Sequence, residues 1–147
     1  MSLKEKLLED MKTAMKEKDQ VKKDTVTMVR SAILQVEKDN KVTLDDEGIL
    51  EVIAKEVKRR KDSLPEYEKS NREDLIDKLK KEIEILLVYL PEQISEEELE
   101  EIVKQTIKET GAASVKEMGK VMQAVLAKVK TRADGKMINL IVKKYLQ

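Results

Sequence analysis

The residues best placed to do chemistry are four cations around a short turn near the C-terminus. They flank residues 133–135 in the sequence and comprise Lys128, Lys130, Arg132 and Lys136. Asp134 is expected to cap a final helix, and Gly135 should leave the first amides of that helix unobstructed. An uncovered helix start with flanking cations suits an anion such as phosphate. The alternative is an ordinary turn with solvated charges.

The helix before this turn carries two further cations, Lys116 and Lys120. Ser114 and Glu117 have the spacing of a capping box, which predicts that the helix starts here. Apolar residues then recur three and four apart, as one buried face requires: Val115, Met118, Val121, Met122, Val125 and Val129. Gly119 interrupts this run and is interpreted as a point of close helix approach, with ligand contact as the alternative. Gly111 is expected to end the preceding helix in a left-handed conformation.

The charge of the chain is balanced overall but unevenly distributed. Thirty basic and thirty acidic residues give a formal net charge of zero. Residues 92–110 contain two basic and seven acidic residues, whereas residues 111–147 contain eight and two. This asymmetry indicates either helices that complement each other internally or a basic patch for a polyanion. A second basic patch, either a phosphate contact or a solvated helix face, comprises Lys55, Lys58, Arg59, Arg60 and Lys61.

Composition excludes several kinds of site. The chain has no His, Cys, Trp or Phe, and only three Tyr. Imidazole catalysis, a cysteine nucleophile and a thiolate zinc site are therefore excluded, and we predict no catalytic residue, no metal and no cofactor. The scarcity of aromatic residues also argues against recognition of single-stranded RNA by base stacking. No run approaches the about 20 apolar residues of a membrane span, which predicts a soluble protein.

The rest of the pattern predicts an all-α fold with four helices before Pro91 and three after it. Apolar stripes mark the helices, including one on the second helix formed by Met28, Val29, Ala32, Ile33 and Val36. Pro65 is expected to end the third helix. Capping boxes at Ser70–Glu73 and Ser95–Glu98 predict two further helix starts. The predicted domains are an N-terminal helical domain at 1–91 and a C-terminal three-helix domain at 92–147.

Several ordered motifs resemble the YqeY family over essentially the whole chain. They are Tyr89-Leu-Pro-Glu-Gln-Ile-Ser-Glu-Glu-Glu-Leu99, Ser114-Val-Lys-Glu-Met-Gly-Lys-Val-Met122, Arg132-Ala-Asp-Gly-Lys136 and Asn71-Arg-Glu-Asp-Leu75. The resemblance implies a C-terminal domain similar to the tail of the B subunit of tRNA-dependent amidotransferase, which helps to hold tRNA. Thr131 departs from the glycine often found there in the family, and the acidic Asp134 weakens a direct transfer of the RNA-binding role.

Three functions follow as hypotheses. The first is a non-catalytic accessory protein that binds tRNA or another structured RNA. Its phosphate contacts would be the C-terminal basic set, defined as Lys116, Lys120, Lys128, Lys130, Arg132 and Lys136. The second is a protein-interaction module that docks on an amidotransferase, synthetase or ribosomal partner. Met118, Met122 and Met137 would then form an adaptable surface; the alternative, more common for methionines at helical spacing, is that they belong to the core. The third is a component of a carbon–nitrogen ligase that uses glutamine as amide donor. We expect a cytoplasmic location, because the absence of cysteine fits a reducing compartment, and we expect a monomer.

Overall fold

A computed structural model of the chain describes residues 1–146. Within them lie seven α-helices and no strand, which confirms the all-α prediction. The helices are α1 (Leu3–Lys16), α2 (Gln20–Asn40), α3 (Asp46–Lys69), α4 (Glu73–Leu87), α5 (Glu96–Thr110), α6 (Met118–Val129) and α7 (Gly135–Tyr145). Single 3₁₀ turns at Val115–Glu117 and Lys130–Arg132 precede and follow α6.

The helices form two compact units, Met1–Leu90 and a second unit that begins at Pro91. Each unit has its own apolar core. The division into independently folding domains at 1–91 and 92–147 stays a prediction, since a compact unit is not by itself an autonomous one.

The first unit packs α1 against α2, α3 against α4, and α2 against α4. Aliphatic side chains that recur at helical spacing build its core: Leu7, Val26, Val29, Ile33, Ile49, Ile53, Val57, Ile83, Leu86 and Leu90. The stripe expected on α2 is partly wrong, because Met28 is 53% exposed whereas Val26 is fully buried. The buried face of α2 is therefore rotated toward Val26, which belongs to the core of this unit.

In the second unit every pair of its three helices packs together. The core consists of Ile94, Leu99, Val103, Val121, Val125, Val129, Ile138, Ile141, Val142 and Leu146. Three valines of the stripe on α6 are buried completely or to within 1%. This core fixes which faces of α5, α6 and α7 reach solvent.

Two of the predicted helix boundaries around α3 and α4 are wrong. Pro65 lies inside α3 instead of ending it. Leu64 packs against the core while Pro65 itself is exposed, so the burial of its neighbour holds the chain helical across the proline. Ser70 follows α3, where its hydroxyl donates to the Glu66 carbonyl at 3.2 Å. The capping box at Ser70 consequently does not form, and α4 begins after Arg72 without a side-chain cap.

The other two capping boxes differ from each other. The Ser95 hydroxyl accepts from the Glu98 amide at 3.2 Å, as predicted for the start of α5. Ser114 makes no capping bond, but the Glu117 carboxylate accepts from the Ala113 amide at 2.7 Å. A 3₁₀ turn between Ser114 and α6 explains the difference, because its tighter winding changes where the first amides point.

Candidate nucleic-acid interface

The turn before α7 ends at Asp134, which caps the start of that helix as predicted. The Asp134 carboxylate accepts from the Lys136 amide at 2.7 Å. A Cβ added at Gly135 would meet no atom within 4 Å, so the space beside the start of α7 is open. Asp134 thus uses one of the amide donors that an anion would need, and the exposed Lys136 side chain is the cation nearest to this helix start in sequence.

Two lysines of the C-terminal basic set turn toward α5. The Lys128 ammonium donates to the Thr106 hydroxyl at 2.9 Å and to the Glu109 carboxylate at 2.8 Å. The bond from Lys128 holds the pKa of Glu109 below its ordinary value. The Lys120 ammonium donates to the Thr110 carbonyl at 3.2 Å. Lys128 in particular is engaged inside the unit and is a poor phosphate contact.

Arg132 also has intramolecular partners. Its Nε donates to the Glu92 carbonyl at 3.2 Å, and its guanidinium lies 4.0 Å from the Glu98 carboxylate. The Arg132 carbonyl in turn accepts from the Ile94 amide at 2.8 Å. Arg132 therefore fastens the turn before α7 to the segment that leads into α5, which is a structural role.

Lys130 adopts an unusual backbone conformation in the same turn. Its φ of 50° and ψ of −124° lie in a region that favours glycine. Thr131 stands at the position where glycine was expected from the family resemblance, but it is not among the residues with positive φ. The conformational demand for glycine thus falls one residue earlier, at Lys130.

The opposite charges of residues 92–110 and 111–147 meet within the second unit. Acidic side chains of α5 pair with cations of α6, the following turn and α7: Glu109 with Lys128, Glu98 with Arg132, and Glu100 with Lys144. The Lys144 hydrogen bond lowers the pKa of Glu100, and Glu100 raises that of Lys144. Internal complementarity accounts for this part of the charge asymmetry.

The remaining cations lie on solvent-facing positions. Lys116 and Lys136 are exposed and form no ion pair within residues 1–146. Lys143, which lies outside the predicted C-terminal basic set, has the same properties. It lies seven residues after Lys136, which places both side chains on one face of α7 about 10 Å apart along its axis. The signal that would have found it is this two-turn spacing on the side opposite Ile138 and Val142.

The Lys55–Lys61 patch is smaller than expected, because Arg60 belongs to the core. Arg60 is only 6% exposed and its guanidinium lies between two carboxylates, 3.2 Å from Glu56 and 3.3 Å from Glu82. The prediction that Arg60 is available to phosphate is wrong. Arg59 reaches the same Glu56 at 3.4 Å while its side chain stays 76% exposed. Lys58 pairs with Asp62 at 3.1 Å, and Lys55 and Lys61 are exposed.

Gly111 and Gly119, two of the three glycines after residue 110, have different environments. Gly111 has a φ of 70° directly after α5, where its amide donates to the Ile107 carbonyl. A Cβ at Gly119 would meet nothing within 4 Å, and the residue is exposed. The interpretation that Gly119 permits close helix packing is therefore wrong, since no neighbouring helix approaches it.

The methionines proposed as an adaptable surface mostly serve the core. Met118 and Met122 are partly buried against the core of the second unit, whereas Met137 on α7 is 41% exposed. Within residues 1–146 no group of three or more acidic side chains is arranged to hold a metal ion. None of the helices described is long and apolar enough to cross a membrane.

Comparison with known proteins identifies relatives of the chain. A mitochondrial protein of Pyrenophora tritici-repentis, altered inheritance of mitochondria protein 41, is 30% identical over 132 residues, which are 87% of this chain and 71% of the relative. The protein of the same name from Kluyveromyces lactis is 43% identical over 84 residues, 56% of this chain and 45% of the relative. The protein of that name from Vanderwaltozyma polyspora is 41% identical over 85 residues, which are 57% of this chain and 46% of the relative. The chain thus spans less than half of the latter two.

These relatives contradict the expected cytoplasmic location, because each is named as a mitochondrial protein. The expectation depended on the absence of cysteine. A chain without cysteine needs no disulfide in any compartment, so this feature does not distinguish one reducing compartment from another.

The sequence pattern of the Yqey-like proteins matches residues 4–146, nearly the whole chain. The motifs noted from Tyr89 to Leu99 and from Ser114 to Lys136 lie within this range and carry the same resemblance. The chain belongs to the YqeY family.

Proposed function

We propose that the chain is a non-catalytic accessory protein that binds tRNA or another structured RNA through its second unit, in connection with tRNA-dependent amidation. The observation that carries the proposal is the pair of exposed lysines on the outer face of α7, Lys136 and Lys143. We call this pair the α7 basic face. The link to amidation depends on the resemblance of the C-terminal motifs to the amidotransferase tail.

The α7 basic face extends toward the start of α6. A short turn joins α6 to α7 and the two helices pack together, so they are expected to be antiparallel, with the end of α7 beside the beginning of α6. Lys116 and Lys120 lie at that beginning, both exposed. These four lysines differ from Lys128, Arg132 and Lys144, because no carboxylate of the described residues pairs with them, although Lys120 donates to the Thr110 carbonyl. Exposed ammonium groups without a carboxylate partner are the ones that can replace the counterions of a phosphate backbone.

The chemistry of this surface favours binding by charge and shape. Lysine side chains contact phosphates and carry little sequence information. The two aromatic side chains of the first unit and Tyr145 offer no series of rings on which successive bases could stack. A folded RNA with a dense, fixed array of phosphates is therefore the preferred ligand over an unstructured strand.

The test is a gel-shift titration with total tRNA at about 50 mM and about 200 mM salt. Four phosphate contacts predict that the logarithm of the binding constant falls with that of salt with a slope of about −3, or roughly a hundredfold loss between the two conditions. A single-stranded homopolymer of equal length is the control and should bind more weakly. Absence of tRNA binding at the lower salt would contradict the proposal.

A protein-interaction module is the second candidate, favoured by one observation. Leu140 is 63% exposed on α7 next to Met137, which is 41% exposed, so this helix presents apolar surface beside its lysines. Such mixed surfaces suit a protein partner, for example an amidotransferase, synthetase or ribosomal protein. Leu140→Gln removes this apolar surface without adding a charge between Lys136 and Lys143, so it should weaken the capture of such a partner without changing tRNA binding. Capture that is lost on nuclease treatment would instead favour RNA.

A further inference from the structure

A groove of about 390 Å³ lies in the first unit, whereas the residues proposed to bind RNA belong to the second. It is bounded by α1, the first turn of α2 and the end of α4, and we call it the Tyr89 groove. Its lining consists of Lys6, Asp10, Lys22, Glu84, Ile85, Val88 and Tyr89. Its volume lies within the range of small-molecule sites.

One wall of the groove is apolar. Ile85 and Tyr89 are half-buried and pack against the core of the first unit. Val88 is 81% exposed at the edge of the groove. An apolar group that entered the groove would cover these side chains and remove their surface from water.

The polar groups at the base of the groove already satisfy one another. The Tyr89 hydroxyl donates to one carboxylate oxygen of Asp10, and the Lys6 ammonium donates to the other at 3.1 Å. Burial and the Asp10 carboxylate raise the pKa of Tyr89, so the hydroxyl stays protonated and keeps donating. Asp10 is therefore neutralised within the protein and does not repel an anion as a free carboxylate would.

Lys22 and Glu84 are the two charged groups of the groove that form no ion pair within the described residues, and Lys22 is the more buried of them. Its side chain is half-buried, and it forms no ion pair within the described residues. It lies in the first turn of α2, where the helix dipole adds positive potential. Glu84, the remaining carboxylate of the lining, is exposed on α4, where water screens its charge.

We infer that the Tyr89 groove binds a small organic anion with an apolar body, whose charged group pairs with Lys22 while its body covers Ile85, Val88 and the Tyr89 ring. The unpaired ammonium selects the sign of the ligand charge, and the apolar wall requires more than a simple inorganic ion. The volume of the groove limits the apolar body of the ligand to the size of a medium-length acyl chain or a single aromatic ring system.

The test uses three probes with one tail and different heads: octanoate, octanol and octylammonium, each below its aggregation limit. Amide shifts in NMR titrations of the full chain should saturate and cluster at residues 6–10, 22 and 84–89. The expected affinity order is octanoate, then octanol, then octylammonium. Saturable binding of all three with equal affinity would overturn the charge assignment, and shifts spread over the surface without saturation would overturn the site.

Three variants complete the test. Lys22→Gln should weaken octanoate binding roughly two- to fivefold, the range of a partly exposed ion pair, and leave octanol binding unchanged. Lys38→Gln on the same helix removes an equal charge outside the groove and is the matched control. Val88→Asn, a neutral change at an exposed position that ends α4, should weaken binding of both octanoate and octanol without lowering the melting temperature. Equal effects of the two lysine changes, or no effect of Val88→Asn, would contradict the proposed site.

Discussion

Removing the Arg60 guanidinium should destabilise the first unit strongly. Arg60 joins α3 to α4 inside the core, between the carboxylates of Glu56 and Glu82. Its Nη1 also donates to the Glu56 carbonyl at 3.1 Å, and Nη2 lies 3.8 Å from the Met28 sulfur. Arg60→Met keeps much of the apolar stem and removes all of these contacts.

The magnitude follows from what the change leaves behind. The side chains of Glu56 and Glu82 are only 8% and 12% exposed, so both carboxylates would remain largely buried with less compensation. Breaking a buried ion pair on one side typically costs about 3–5 kcal/mol, because the other charge is left unpaired. Arg59, 3.4 Å from Glu56, should offset part of this, which places the expected loss near about 3 kcal/mol.

Urea denaturation followed by circular dichroism measures this loss. Arg59→Met is the matched control, since Arg59 is the adjacent arginine and contacts the same glutamate from solvent. It should change the free energy of unfolding by less than about 1 kcal/mol. The triple variant Glu56→Leu, Arg60→Met and Glu82→Leu should recover most of the loss, because apolar groups of similar volume replace buried ion pairs at little cost.

An Arg60→Met variant that unfolds within about 1 kcal/mol of the natural chain would refute this reasoning. So would a triple variant less stable than Arg60→Met alone. Either outcome would mean that water or a rearranged side chain compensates Glu56 and Glu82, and that the guanidinium does not hold α3 to α4.

Three further outcomes follow from local features. Gly119→Ala should raise the free energy of unfolding by about 0.5–1 kcal/mol in thermal melts, since the added Cβ meets open space in a helix; a loss of stability would mean that something does approach Gly119. Lys130→Gly should also be neutral or stabilising, because it relieves a strained backbone; a loss above about 1 kcal/mol would mean that the side chain holds the turn. The free energy of unfolding should fall as pH rises above the ordinary tyrosine pKa of 10.0, because unfolded Tyr89 loses its proton while folded Tyr89, with its raised pKa, retains it. Urea titrations at about pH 9 and about pH 11 measure this fall, and Tyr89→Phe should remove the part that is due to Tyr89. An equal fall in the variant and the natural chain would contradict this explanation.

Much of the fold can be predicted from the sequence, because the spacing of apolar residues indicates which face of a helix is buried. Val121, Val125 and Val129 recur at four-residue spacing, and all three are in the core. Spacing does not fix the edges of a buried face, which neighbouring helices decide. For this reason Met28 was predicted inside and lies outside, whereas Val26 was overlooked.

The inward position of Arg60 is indicated by its spacing in the sequence, but the neighbouring cations point to the opposite interpretation. It continues the apolar spacing from Ile53 and Val57 toward Leu64, which predicts an inward position. Its place in a run of four cations suggested a solvated face instead. A buried arginine needs carboxylates from its own helix and from another, and Glu82 is supplied 22 residues away by α4. The sequence does not specify that pairing.

The candidate RNA surface was predictable only in part for a similar reason. The excess of cations after Gly111 is evident from composition, but which of them remain unpaired depends on contacts between distant residues. Lys144 meets Glu100 44 residues away, and Arg132 meets a carbonyl 40 residues away. These pairings remove cations from a set that looks uniform in sequence and leave Lys136 and Lys143 on the outer face of α7.

RNA binding through the α7 basic face is tested most directly by the salt dependence of tRNA binding in two double variants. Lys136→Gln with Lys143→Gln removes the two charges of that face, and Lys12→Gln with Lys16→Gln removes two exposed charges of α1. The first variant should bind more weakly and lose about two units of salt slope, with an unchanged melting temperature. The second should bind as the natural chain does. Equal slopes in the two variants would contradict the proposed role of α7.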